Sequence, residues 1–173
     1  MNGVAVCRKL VAMVVVALSG SGILVATSAT PGAAAAGGCA GTAYVANGGD
    51  GTVSVINTAT NAVSAPITVG KNPTGAAITP DGKHVYVVNS GDGTVSVITT
   101  ATGAVSPPIT VGTQPNQVAI TPDGKRAYVT NFGDGTVSVI TTATGVVSPP
   151  ITVGKLPEGV AICPAPIAHR RGS

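Results

Sequence analysis

Aromatic and charged residues are scarce in this chain. Its 173 residues include no Trp, one Phe and three Tyr, and nine Lys or Arg stand against six Asp or Glu. The basic residues are scattered, in pairs at most: Arg8–Lys9, Lys125–Arg126 and Arg170–Arg171. A phosphate backbone requires several cationic contacts, and single strands require aromatic platforms for stacking. The composition therefore argues against nucleic acid as a partner. Carboxylates are equally thin for chemistry. Asp81 and Asp123 belong to Pro-Asp-Gly turns, and Asp50, Asp92 and Asp134 to Gly-Asp-Gly hairpins, which leaves only Glu158 without a turn role. General acid–base work wants a positioned pair or a His partner. His84 follows a turn where the next repeat has Arg126, and His169 lies in the final stretch, so neither is expected to act as a base. No catalytic residue, metal site or cofactor is assigned.

Long apolar runs are confined to the N-terminus. Arg8 and Lys9 precede an apolar run over residues 10–18, followed by small residues with several small-x-small sites. This is the layout of a secretory signal peptide. A retained anchor is the rival reading, but a Ser-Gly-Ser-Gly break follows Leu18 and leaves the run short of the roughly 20 residues of a span. Residues 1–36 are read as the leader, with cleavage after Ala36 preferred to Ala29. Lipid attachment at Cys39 is disfavoured because no Leu stands at its minus-three position. The expected mature protein is exported, to the medium or the cell surface, and has no membrane span. Losing the leader removes Cys7, Arg8 and Lys9, so seven basic residues face six acidic ones and two cysteines remain, Cys39 and Cys163. An even count suits an oxidising compartment.

The rest of the chain is a repeat. "YVANGGDGTVSVINTATN" at Tyr44, "YVVNSGDGTVSVITTATG" at Tyr86 and "YVTNFGDGTVSVITTATG" at Tyr128 recur with a constant spacing of 42 residues. A fixed period near 40 implies a repeat architecture. Inside each unit, "TVSVI", "AYV" and "PITVG" have the β-branched character of strands. "TPDGK" at Thr79 and Thr121 is a tight-turn sequence, and "GDGT" a short hairpin loop. Four short antiparallel strands in about 40 residues make one blade of a β-propeller. A blade packs between two neighbours, and "TVSVIT" fits because Ser and Thr stand where an exposed face would carry charge. A parallel β-helix is the weaker alternative, since it has no need of repeated hairpins.

The "YV-N", "TVSVI", "ITVG" and "ITPDGK" words resemble the YVTN-type β-propeller repeats of cell-surface and secreted proteins, over roughly residues 42–162. The Gly-His and Trp-Asp marks of WD40 repeats are absent. The resemblance implies an all-β propeller, commonly of about seven blades, used mostly for binding and without a general catalytic motif. Here the repeats supply three. The propeller domain is placed at residues 37–163 and an irregular tail at 164–173. Residues 159–163 ("GVAIC") are read as a twelfth strand that completes the first blade, which is thereby split between the two ends of the chain. Aligning the repeats places Cys39 at the Asp81 position and Cys163 at the Thr79 position. These positions lie about 5.5–7 Å apart in one turn, near the span of a disulfide. A Cys39–Cys163 bridge is expected, against a reading in which Cys163 is simply buried and Cys39 unpaired. Three blades fall short of the usual minimum of about four. A dimer with six blades is therefore expected, while a truncated longer propeller would look the same.

Binding residues are sought on the rim that carries the "N-x-GDG" hairpins and the "VG--P" loops. The hairpins contribute Asn47, Asp50, Asn89, Asp92, Asn131, Phe132 and Asp134, and the loops contribute Lys71, Asn72, Gln114, Asn116, Lys155 and Glu158. Phe132, the single phenylalanine, is the leading contact candidate. The expected ligand is a protein or a cell-envelope component. Lactonase-type propeller hydrolases hold a cation in the central channel with several Glu, Asp and Asn side chains. The strands predicted to line this channel, "GAAIT", "QVAIT" and "GVAIC", carry none that ionises. Calcium at the Gly-Asp-Gly loops is disfavoured too, with one carboxylate per loop for an ion wanting six to eight oxygens.

Overall fold

The structure, a computed structural model, describes residues 41–163, all of which lie in one compact unit, Ala35–Ser173. The leader, Cys39 and the tail at 164–173 fall outside the described residues. Eleven strands and no helix occur among the described residues. The first sheet holds β1 (Thr42–Asn47), β2 (Thr52–Asn57) and β3 (Ile67–Thr68). The second holds β4 (Pro73–Ile78), β5 (His84–Asn89), β6 (Thr94–Thr99) and β7 (Ile109–Thr110), and the third β8 (Pro115–Ile120), β9 (Arg126–Asn131), β10 (Thr136–Thr141) and β11 (Ile151–Thr152). All pairings are antiparallel between sequential neighbours, so each sheet is a meander of four strands or, in the first, of three. This is the blade architecture that the repeats predict.

The hairpin sequences set the registers. In the second blade Asn89 pairs with Thr94 and Tyr86 with Val97, and in the third Asn131 pairs with Thr136 and Tyr128 with Val139. The turn between them closes through Gly93, whose φ of +66° suits glycine and whose added Cβ would lie 3.1 Å from the Gly112 carbonyl. Innermost strands adjoin from blade to blade: the Thr74 hydroxyl in β4 donates to the Asn116 carbonyl in β8 at 2.8 Å.

Strand alternation distributes the core. Successive residues of β5 face opposite sides. Val85 and Val87 join Val53 and Ile98 in a cluster that takes in Tyr44 and Ile67 of the first blade. Tyr86 and Val88 join Val95, Val118, Ala127, Val129 and Ile140 in a cluster shared with the third. The middle blade is thus apolar on both sides, as a blade between two neighbours must be.

One strand departs from expectation. Residues 159–163 form no strand pairing, and the first sheet has three strands rather than four. The Thr130 hydroxyl, which donates to the Glu158 carbonyl at 3.3 Å, shows where this segment runs: beyond the third blade, in the place of a further innermost strand. It makes no pairing with β1, the strand it was expected to join.

Candidate binding rim

Each blade carries the hairpin Asn-x-Gly-Asp-Gly at one end, and in the second and third blades the loop that enters the blade folds onto that hairpin. In the second blade the Gly70 N–H donates to Asn89 Oδ1 at 3.2 Å and the Lys71 N–H to Asp92 Oδ2 at 2.7 Å. In return the Ser90 N–H donates to the Asn72 carbonyl and the Gly91 N–H to the Lys71 carbonyl, both at 3.0 Å. The third blade repeats this lock with Gly112, Thr113 and Gln114 on Asn131, Phe132, Gly133 and Asp134. The amide end of each Asn is used as well. Asn89 Nδ2 donates to Thr94 Oγ1 at 3.0 Å and to Ser96 Oγ at 2.9 Å, and Asn131 does the same to Thr136 and Ser138.

This geometry corrects part of the predicted site. Asn89 and Asn131 are fully buried; their amides knit blade to loop and are withdrawn from any ligand. Phe132 is half-buried rather than exposed, with its N–H donated to the Gln114 carbonyl at 3.1 Å. Asp92 and Asp134 are exposed but committed to backbone N–H groups. Lys71, Asn72, Gln114, Lys155 and Glu158 are exposed, and Asn116 is half-buried. Asn47 is half-buried and holds Thr52 and Ser54 as its repeats do. Asp50 is exposed, with no loop seated on it among the described residues. Cys163 is exposed, not buried, and its expected partner Cys39 lies outside the described residues.

The opposite rim carries a feature that the rim argument from sequence missed. A cleft of about 820 Å³ opens between the second and third blades, with Asp81, His84, Tyr86, Asp123 and Thr142 in its wall. Both aspartates are tied to their own turns: the Thr79 hydroxyl donates to Asp81 at 2.6 Å, and the Thr121 hydroxyl to Asp123 at 2.5 Å. These hydroxyls, with the Lys83 and Lys125 N–H groups, hold both carboxyls below the usual range. Burial raises the Tyr86 phenol, which donates to the Thr142 carbonyl at 3.5 Å. A signal was present in the sequence, since "TPDGK" and "TTATG" repeat in phase at one end of the second and third blades.

Comparison with known proteins agrees with the architecture. The sequence model of the family described as "Lactonase, 7-bladed beta-propeller" matches residues 39–159. The chain belongs to this propeller family. Among solved structures, the propeller is similar to hydrazine synthase of Kuenenia stuttgartiensis, with 30% identity and a TM-score of 0.65 over 68% of this chain and 34% of that one. It is also similar to the dihydro-heme d1 dehydrogenase NirN (20% identity, TM-score 0.58, 67% of this chain and 26% of that one). A functionally unknown protein from Desulfotomaculum acetoxidans shares the fold at 19% identity and a TM-score of 0.53, over 62% of this chain and 37% of that one. The chain thus spans about a third of the length of these structures. No curated protein matches it.

The family name raises the question of a channel cation. Among the described residues no group of three or more His, Cys, Asp or Glu is placed to hold a metal. β4 and β8 bring no carboxylate to the channel, and the hairpin aspartates of the second and third blades are spent on backbone N–H groups. The described residues do not fit a multi-carboxylate cation site.

Proposed function

We propose that the chain is an exported, non-catalytic β-propeller module of the YVTN type that binds a protein or cell-envelope ligand through its hairpin rim and is completed by a second copy. One observation supports this reading most. In the second and third blades the recurring hairpin Asn and Asp are consumed internally, whereas the entering-loop positions that differ between repeats are exposed. The recurring set is the hairpin Asn and Asp, used by the locks. The differing set is Lys71, Thr113 and Lys155 at one position and Asn72, Gln114 and Leu156 at the next, all exposed. Recognition resides where a repeated scaffold displays variation.

The test is co-sedimentation of the leader-free protein with an envelope preparation from the producing cell. Lys71→Ser with Gln114→Gly is expected to reduce retention while leaving the melting temperature unchanged; glycine suits the left-handed backbone of Gln114, φ +49°. Retention that ignores these changes would count against the rim. Metal-dependent lactone hydrolysis by the purified protein would favour the enzymatic alternative.

A further inference from the structure

The rim lock occurs twice complete within the described residues and once in two separated halves. The third entering loop, residues 154–156, has the backbone of its repeats: Leu156 has φ +51°, against +49° at both Asn72 and Gln114. That left-handed conformation costs a residue with a Cβ about 1–2 kcal/mol. At Asn72 and Gln114 the seated hairpin holds it in place. Leu156 is 58% exposed, and among the described residues no acceptor meets the Gly154 and Lys155 N–H groups. The complementary half is the hairpin at 47–50. Asn47 keeps its amide bonds to Thr52 and Ser54, but among the described residues no entering-loop N–H reaches its side-chain Oδ1 or the Asp50 carboxylate. One half offers two donors where the other offers two acceptors, and Lys155 and Asp50 are oppositely charged.

We propose that residues 154–156 of one copy seat on the 47–50 hairpin of a second copy, as Gly70, Lys71 and Asn72 seat on the hairpin of the second blade. The Gly154 N–H then donates to Asn47 of the second copy and the Lys155 N–H to its Asp50. Residues 157–163 continue along the edge of its first blade. The contact is head-to-tail, so two of them close a pair of copies. This inference rests on the reading that a second copy completes the arc.

The glycines provide the test. A Cβ at Gly70 would lie 2.6 Å from the Asn89 side chain, and one at Gly91 3.1 Å from the Lys71 Cβ. The same addition at the equivalent Gly154 or Gly49 meets nothing within 4 Å. Gly154→Ala and Gly49→Ala are therefore expected to keep the fold and the melting temperature of the separated chain. Each would obstruct the seam and weaken association about tenfold to a hundredfold, the scale of an overpacked contact. Sedimentation velocity over a concentration series of the purified protein reads this directly. An equal mixture of the two variants is expected to recover pairs, because one seam then joins an unaltered loop to an unaltered hairpin. If pairs form but neither variant weakens them, the second copy stands and this seam falls. A parent chain that stays single at high concentration overturns both. Destabilisation of the separated chain by Gly49→Ala would place a segment of the same chain, from residues 1–40, on the hairpin and overturn the seam.

Discussion

β1 and β5 occupy equivalent places in adjacent repeats, one spelled TAYVAN and the other HVYVVN, yet their surroundings differ. Five of the six residues of β5 are buried, and none of β1 is. The contrast extends to β2 and β6, which share TVSVI: β6 buries three residues and β2 one. Local sequence fixes the strand, and the neighbouring blade fixes the burial. A repeat protein is stabilised by interfaces between units as much as by the units themselves, so equivalent residues in inner and end blades should differ in energetic weight.

The sharpest way to break this comparison is at the hairpin asparagines. Asn89→Ala removes three hydrogen bonds at a fully buried site and is expected to cost about 3 kcal/mol. Asn47→Ala, half-buried and with two such bonds, should cost about 1 kcal/mol. Urea denaturation of both variants at a concentration that keeps the chain single measures the difference, and equal losses would show that the blades are energetically alike. Next come the interface valines. Val87 is fully buried between blades, while the equivalent Val45 is 43% exposed. Val87→Ala should cost about 2 kcal/mol and Val45→Ala a few tenths.

Hairpin carboxylates form the third comparison. Asp92→Asn and Asp134→Asn weaken bonds of 2.7 and 2.6 Å to the entering loop and should each cost about 1 kcal/mol; Asp50→Asn should cost the separated chain nothing measurable. The smallest effect concerns acid. Asp81 and Asp123 have carboxyls lowered from the ordinary 3.8, first by the Thr79 and Thr121 hydroxyls and then by the Lys83 and Lys125 N–H groups. A lowered native value means that their contribution is present above the ordinary value and is lost as pH falls through the native one. Thermal melts between about pH 5 and pH 3 should fall less steeply in Thr79→Val and Thr121→Val than in the parent.

Blades, turns and hairpins were legible in the sequence because each depends on residues close together in the chain. The "TVSVI" pattern, the Gly-Asp-Gly loops and the "TPDGK" turns specify their own conformations wherever they occur. The role of Asn89 was not legible, because its decisive partner, the Gly70 N–H, lies 19 residues earlier on a loop arriving from the preceding blade. From sequence alone, an Asn beside a Gly-rich loop looks exposed. Phe132 likewise meets a loop distant in sequence, its N–H donating to the Gln114 carbonyl. The expected strand at 159–163 has the right composition; what it lacks among the described residues is a partner strand. The cleft on the opposite rim depends on the spacing between two blades, which no single repeat encodes.

Amide hydrogen exchange at Lys71, Thr113 and Lys155 tests the central claim most directly, because these three N–H groups are equivalent by repeat and differ only in whether a hairpin faces them. In dilute solution Lys71 and Thr113 should be protected and Lys155 should exchange freely, gaining protection as the concentration rises. Equal protection of all three in dilute solution, or rapid exchange at Lys71, would contradict it.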